Sequence, residues 1–260
     1  MKHTLSLLRL FSYYSIKKTF AQPLSVLLFV IAKIIRFALF YFFIQYLLSK
    51  TRMLVGYTLA ETLLFFLTFS LIDGIAQLLF REVYRFRPLV TEGTLDLVLT
   101  KPYHPFLQIL VGGIDVLDVI MVIIYGVFAS YFLSQIGGIA SMSFVVYILL
   151  VVNALIIAAA AHICILALGL ISSEIDNSLS LFRDVTRLGS LPIDIYSEPV
   201  RTVLNTVVPV GVMMSFPVKG YLGLLSVQSL VYSFLLGALL LWVSLFMWKS
   251  ALKSYQSWGG

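Results

Sequence analysis

The sequence predicts an all-α integral membrane protein with six transmembrane helices. Of its 260 residues, 60% are hydrophobic and only 12% are charged, whereas soluble domains carry about 25% charged residues. Several apolar runs exceed the roughly 20 residues that a helix needs to cross a bilayer. The basic residues collect at the ends of these runs and form no continuous stripe, which is typical of membrane orientation and argues against a nucleic-acid surface. We therefore expect one transmembrane domain over residues 1–260.

Five of the runs are good candidate spans, at 24–48, about 54–80, about 105–134, 142–171 and 224–248. Residues 1–20 precede them and are amphipathic, because Leu5, Leu8 and Phe11 follow a helical spacing while Lys17 and Lys18 lie on or near another side. This pattern predicts a helix that lies in the membrane interface.

A sixth candidate span, EIDNSLSLFRDVTRLGSL at 174–191, is much less apolar. Its five charged side chains would be costly against lipid, so a crossing here needs protein or a water-filled cavity around them. With a cytoplasmic N-terminus, the inner segments carry ten basic residues and the outer segments four. The positive-inside rule then places both termini in the cytoplasm of a multi-pass protein of the cell membrane, which requires an even number of spans and so favours a sixth crossing.

Residues 192–223 are predicted to form short helices that dip into the membrane from outside. Prolines divide the apolar content of this segment into pieces too short to span, and each proline removes a backbone donor. Broken backbone at membrane depth requires protein or water to satisfy it. An ordinary outer loop with interfacial helices is the alternative. The prolines are Pro192, Pro199, Pro209 and Pro217.

Residues for catalysis or for nucleotide binding are scarce. The three histidines are far apart, the lone Cys164 sits in an apolar run, and no GxSxG, HExxH or CxxC motif occurs. A phosphate-binding GxxxxGK[ST] loop is also missing. We therefore expect no enzyme activity, no metal site and no cofactor in this chain. If transport is driven by ATP, another polypeptide must hydrolyse it.

Charged residues inside the candidate spans suggest an intramembrane polar cluster. Their depths in the first three spans match, and spacings of three residues place neighbours on shared helical faces. Such a cluster can fix helix packing, line a substrate path or relay protons, and the sequence leaves these alternatives open. The residues are Lys33, Arg36, Asp73, Asp115 and Asp118.

The loop between the second and third spans is unusually charged, and it carries a recognisable motif. RFRPLVTEGTLDLVLTKPYHPFLQIL resembles the inner loop of one group of ABC type 2 exporter permeases. LPIDIYSEPVRTVLNTVVPVGVMMSFPVKGYLG resembles the outer segment of that group, and ALKSYQSWGG resembles its tail. Lys101 and Lys253 depart mildly from positions where the group often has arginine or a second basic residue. The loop matches are Arg87, Glu92, Gly93, Leu95, Asp96, Leu99, Lys101, Pro102 and Pro105; Pro192, Asp194, Tyr196, Pro209 and Pro217 mark the outer segment.

The resemblance implies a permease with an elbow helix at 1–20, a coupling helix in the cytoplasmic loop 81–104 and re-entrant helices at 192–223. Two such chains, identical or paralogous, would pair in the lipid bilayer, and a dimer of separate ABC ATPase subunits would bind ATP and Mg beneath them. Export of a hydrophobic or amphipathic substrate would follow from ATPase closure. We expect charged contacts at the rim of the docking surface, and Phe86, Leu89 and Val90 as its buried anchors. The docking residues are Arg85, Phe86, Arg87, Leu89, Glu92, Gly93 and Asp96.

Two other functions remain open at this stage. One is a secondary transporter or channel that uses ion gradients through the intramembrane charges. The other is a membrane scaffold without a transport role. For the charged loop itself, the alternative to docking is a segment whose arginines meet anionic lipid.

Overall fold

Long apolar helices dominate the structure, a computed structural model that describes residues 6, 10, 12–14, 17, 21, 23–51, 53–102, 104–111, 116–137, 142–172 and 175–255. No β-strand occurs within these ranges. The α-helices, in chain order, are α1 Pro23–Thr51, α2 Leu59–Phe80, α3 Phe86–Thr91, α4 Leu95–Leu99, α5 Val116–Ile136, α6 Met142–Ile171, α7 Ile175–Arg187, α8 Val200–Thr206, α9 Phe216–Tyr221 and α10 Val227–Ser254.

Five helices of the described residues, α1, α2, α5, α6 and α10, are long and apolar enough to cross a membrane, which confirms the five good spans. The second span starts later than predicted, at Leu59, because Thr58 caps it: the Thr58 hydroxyl accepts from the Glu61 N–H, and the Glu61 carboxylate accepts from the Thr58 N–H at 2.8 Å. The described part of the third span begins at Val116, and a π-helical turn at Leu107–Val111 precedes it in the chain.

Helix α2 lies at the centre of the bundle. Residues 62–70, in its first half, are buried on all sides of the helix. It packs along α5, while α6 packs along α10. At the second of these contacts the buried Asn153 amide donates to the Ser233 carbonyl oxygen at 2.9 Å. Helix α1 is peripheral, with only Ile44 and Leu48 buried, and it meets α2 through stacked Phe40 and Phe66 rings 3.7 Å apart.

Helix α7 connects the two ends of the bundle. We call the end at which α2 finishes the inner end, and the end that holds the 53–58 turn the outer end. Asp176 pairs with Arg87, just beyond the inner end of α2, and Asp194 accepts from the Tyr57 hydroxyl at the outer end. These partners are separated by the length of α2, about 33 Å at 1.5 Å per residue. Residues 176–194 therefore run the depth of the bundle.

This crossing differs in form from an ordinary span. Only 13 residues of it are α-helical, which is too short for a lipid-facing helix, and a short 3₁₀ turn at Leu188–Ser190 extends it. The buried side chains Ile175, Leu179 and Thr186 hold it against the bundle. The burial of these three side chains agrees with the prediction that the segment needs protein around it to cross.

The outer segment after α7 is a chain of short helices. A 3₁₀ turn at Ile193–Ile195 leads to α8, and a π-helical turn at Gly211–Ser215 continues into α9. The two halves, Val200–Thr206 and Gly211–Tyr221, are bent by 78°, as in a broken span or a re-entrant loop. Broken helices were predicted here, and residues 210–218 are all buried by protein, which satisfies the condition for irregular backbone at membrane depth.

The interfacial helix predicted at 1–20 lies largely outside the described residues. Those that are described there, at positions 6, 10, 12–14 and 17, are helical, and the elbow assignment stays a prediction.

Gly237 lets α10 approach α6 closely, and an alanine there should loosen this pair. An added Cβ would lie 2.2 Å from the Asn153 amide oxygen, so Asn153 would have to move and lose its bond to Ser233. We expect Gly237→Ala to lower the free energy of unfolding by about 1–3 kcal/mol. Thermal unfolding in detergent measures this. Gly126→Ala, whose Cβ would find its nearest neighbour at 3.9 Å, is the control; equal stability of the two variants would contradict the packing.

Candidate coupling and translocation sites

The charged loop predicted to couple the chain to a motor forms a folded inner segment, which we call the coupling segment, residues 81–101. A 3₁₀ turn at Arg81–Arg85 follows α2 and leads to α3 and then α4. Gly93, between α3 and α4, has a φ of +67°, a left-handed conformation that favours glycine. Gly93 therefore sets the sharp turn between the two short helices.

The apolar side chains of this segment face the permease itself, which corrects one prediction. Phe86 is 0% exposed and Val90 is 5% exposed, so neither can serve as an anchor in the pocket of a partner. Leu89 is half-buried and also packs against the core. The reason is amphipathicity: helix α3 turns its apolar side toward α7 and the end of α6, and leaves its polar side outside.

Three contacts fasten the coupling segment to the rest of the bundle. The Phe86 ring lies 6.4 Å from the ring of Trp248 in α10, and Phe106, beyond the segment, lies 5.1 Å from the same ring. Tyr255, in the tail, is half-buried near Asp96, and this partial burial together with the Asp96 carboxylate raises the pKa of its hydroxyl. Arg87 pairs with Asp176 at the start of α7. The segment is thus attached to α10 and α7 as well as to the chain that leads into α5.

The face left exposed by these contacts is polar. Arg85 and Arg87 are each about half exposed, and Glu92 is exposed beside them. Asp96 is only half-buried. Leu97 is the large apolar exception, at 66% exposure. The exposed residues of the segment thus include both charge signs and one large apolar side chain, a composition suited to a reversible protein contact.

The intramembrane charges predicted to cluster do come together near the inner end. Lys33 of α1 lies within electrostatic reach of Asp73, Arg36 and Asp118. Asp115 lies outside the described residues. Asp118, which is 8% exposed, pairs with Arg81 at 3.1 Å, and Gln77 donates to Asp73 at 2.7 Å. We call this group the inner polar cluster: Lys33, Asp73, Gln77, Arg81, Tyr84, Asp118 and Arg183.

Sequence reasoning missed four members of this cluster, Gln77, Tyr84 and the two arginines. Arg81 was assigned to the cytoplasmic loop, but its guanidinium reaches back to Asp118. Arg183 was noted only as a costly charge in the sixth span, and it lies over the Tyr84 ring at 5.9 Å. The signal for Arg183 was present, since a charge in a crossing segment requires a polar or aromatic neighbour.

Arg36 lies within electrostatic reach of Lys33, but it is on the exposed side of α1 and outside the inner polar cluster. It lines a cavity of about 650 Å³ between α1, Phe66 of α2 and Ser190 beyond α7. The other side chains in the wall are apolar. On α7, the charged residues Asp184 and Arg187 are likewise exposed and pair with each other. Arg36, Asp184 and Arg187 thus place charge on the surface of the bundle near the apolar cavity. Lipid alone would not solvate these charges.

The outer end is held by a second polar group, which we call the outer tether: Tyr57, Asp194, Lys219 and Ser215. The Asp194 carboxylate accepts from the Tyr57 hydroxyl at 2.9 Å and from the Lys219 ammonium at 2.7 Å. Burial, together with this hydrogen bond, raises the pKa of Tyr57. The Ile193 N–H donates to the Ser215 hydroxyl. Asp194 therefore joins the 53–58 turn to α9.

The remaining outer residues support this tether. The Tyr196 hydroxyl donates to the Leu188 carbonyl oxygen at 3.0 Å, and burial raises the pKa of Tyr196. Pro217 lies in the first turn of α9, directly after the π-helical turn Gly211–Ser215. Pro209 stands at the bend and lines an apolar cavity of about 130 Å³. Pro192 is buried at the start of the segment.

A polytopic helical bundle, an inner segment with an exposed polar face and polar groups between the helices are features expected of a membrane transport permease. A family model described as ABC-2 family transporter protein matches residues 34–259, and the chain belongs to this family. It is thus the membrane component of an ABC transporter. Comparison with curated proteins and with solved structures gives no match.

Phe86 should be essential for holding the coupling segment on α10. Truncation to alanine leaves a cavity beside Trp248, which should cost about 3–5 kcal/mol in unfolding free energy. Leu97→Ala, in the same segment but exposed, should cost far less. Thermal unfolding of the two variants in detergent measures the difference. Comparable losses would mean that Phe86 is not an internal anchor.

Proposed function

We propose that this permease is the membrane subunit of an ATP-driven exporter that moves a hydrophobic or amphipathic substrate out of the cell. A dimer of separate ABC ATPase subunits binds ATP and Mg and docks on the coupling segment. Both termini are cytoplasmic, as the distribution of basic residues indicates. The family supports an ATPase partner in general.

One observation carries the proposal: the coupling segment is exposed on its polar face and fixed on its apolar face. Glu92 is exposed to a partner, and Arg85 and Arg87 are each about half exposed although each pairs with a carboxylate of the chain. Phe86 and Val90 are buried in the bundle. A force applied to the exposed face therefore moves the parts behind it, namely α10 through Trp248 and α7 through Asp176. A loose lipid-binding loop would not need these fixed contacts.

A second permease chain completes the membrane part. Helix α1 is mostly exposed in the single chain and carries Arg36 on its surface. Helix α7 exposes Asp184 and Arg187. Exposure of these charges to lipid would cost considerable free energy. A paired permease, identical or paralogous, with a water-filled path between the two chains would solvate them.

Purification of the permease from native membranes tests the partner. We expect a polypeptide with a phosphate-binding loop to remain bound, and the complex to hydrolyse ATP. If the purified permease alone moved solutes along an ion gradient, with no ATPase bound, an ion-driven transporter working through Lys33, Asp73 and Asp118 would replace this proposal.

Glu92→Arg should weaken ATPase docking without affecting insertion. A charge reversal at the exposed polar face sets like charges against a partner surface that accepts an acidic residue, and we expect about a tenfold or greater loss of ATPase association. Quantitative co-purification measures it. Glu198→Arg makes the same charge change at an exposed outer position, where hydrogen bonds from Thr202 and Arg201 lower the pKa of the Glu198 carboxyl, and it should leave docking intact. Equal retention of the ATPase in both variants would contradict the docking assignment.

A further inference from the structure

A pocket of about 420 Å³ opens at the inner end of the bundle, where α1, α2, α5 and α7 approach one another. Its volume lies in the range of small-molecule sites. We call it the inner basic pocket. Its wall is formed by Phe29, Gln77, Arg81, Tyr84, Arg85, Leu117, Asp118 and Arg183.

The charge balance of this wall favours an anion. Among the described residues, three guanidinium groups line the pocket against one carboxylate. That carboxylate, Asp118, is already paired with Arg81, and Arg85 pairs with Glu82 at 2.9 Å. Arg183 has no carboxylate within 4 Å among the described residues and lies instead over the Tyr84 ring. Its planar fork of N–H donors matches phosphate or carboxylate oxygens.

The depth of the pocket matches that of lipid headgroups. Arg81 and Arg85 lie just beyond the end of α2, and Asp118 lies in the first turn of α5. Phe29 is six residues into α1, about 9 Å along the helix from Pro23. The pocket thus sits near the inner boundary of the hydrocarbon region, where basic side chains meet anionic headgroups.

Apolar surface continues outward from the basic wall. Phe29 and Leu117 form part of the wall itself. Exposed apolar side chains of α1 follow Phe29 toward the outer end, Ile31 at 42% and Ile34 and Ile35 at 52% each. Because α1 packs loosely on the bundle, a hydrocarbon chain can lie along it while a charged group stays in the pocket. A free inorganic anion would contact the basic wall of the pocket but not the apolar surface of α1.

We propose that the inner basic pocket binds the phosphate headgroup of an anionic amphiphile, with Arg183 as its principal contact. Arg81 and Arg85 contribute positive charge to the wall, and the Tyr84 ring fixes the Arg183 side chain. The binding itself does not depend on the proposed export function. Two sources offer this chemistry, an anionic lipid of the bilayer and an exported amphiphile, and only the second rests on that function.

The first test measures binding to the full-length permease without ATPase or nucleotide. Native mass spectrometry in a neutral detergent compares phosphatidylglycerol with phosphatidylcholine of the same acyl chains. We expect phosphatidylglycerol to bind better, and Arg183→Gln to weaken it about tenfold, as expected for loss of a charged hydrogen bond. Arg183→Lys should recover part of the affinity, because it keeps the charge without the fork.

Arg187→Gln is the matched control for this measurement. Arg187 lies one turn further along the same helix, is 55% exposed and pairs with Asp184, and it does not line the pocket. It should bind phosphatidylglycerol as the unaltered chain does. Equal affinity for the two lipids, or equal loss in Arg183→Gln and Arg187→Gln, would overturn the proposal. Thermal unfolding of each variant separates lost binding from lost folding.

The second test distinguishes the two sources of the headgroup. The permease with its bound ATPase is reconstituted in vesicles that contain fluorescent phosphatidylglycerol. ATP-dependent removal of the label from the leaflet on the ATPase side, abolished by Arg183→Gln, identifies the amphiphile as cargo. Arg183-dependent binding without such movement identifies a resident bilayer lipid. Absence of ATP-driven transport would thus contradict the proposed export function but not the binding of a headgroup in the pocket. Absence of binding would contradict the pocket proposal but not the export function.

Discussion

The cost of placing charge at membrane depth is the constraint on which the rest of this structure depends. The stretch 174–191 carries five charged residues, yet the chain passes through it from the inner end to the outer end. It can do so only because one side of α7 packs against α6 and the coupling segment through Ile175 and Leu179. The other side must meet water or a second permease. In the proposed function, a second permease chain and a water-filled path meet this polar side.

The same crossing joins the two functional ends of the molecule. At its inner end Asp176 pairs with Arg87 of the coupling segment. At its outer end the chain continues into Asp194, which holds Tyr57 and Lys219. Movement of the coupling segment would therefore act on the outer tether through one short, continuous piece of chain. The paired contact of Phe86 and Phe106 with Trp248 offers a second connection, through α10. Transport coupling between opposite membrane faces needs connections of this kind.

Much of the helical frame followed from the sequence, because apolar runs of bilayer length are strong and local signals. The start of α2 at Leu59 was also encoded locally, in the Thr58 and Glu61 pair. The predictions went wrong where side-chain direction decides the outcome. Phe86 was expected to face a partner, but a helix of six residues has too short a pattern to show which side is buried. The pairing of Arg81 with Asp118 joins residues 37 positions apart, and no local spacing indicates it. Arg183 needed the position of Tyr84 before its charge could be understood.

The most direct test of this account asks whether residues 176–194 connect opposite sides of the membrane. Single cysteines placed at Asn177 and Ser197, in a chain whose Cys164 is replaced by serine, can be labelled with a membrane-impermeant maleimide. Both positions are exposed in the structure. The account predicts that Ser197→Cys is labelled in intact cells, whereas Asn177→Cys is labelled only after the membrane is permeabilised. Labelling of both positions from the same side would contradict the crossing, and with it the connection between the coupling segment and the outer tether.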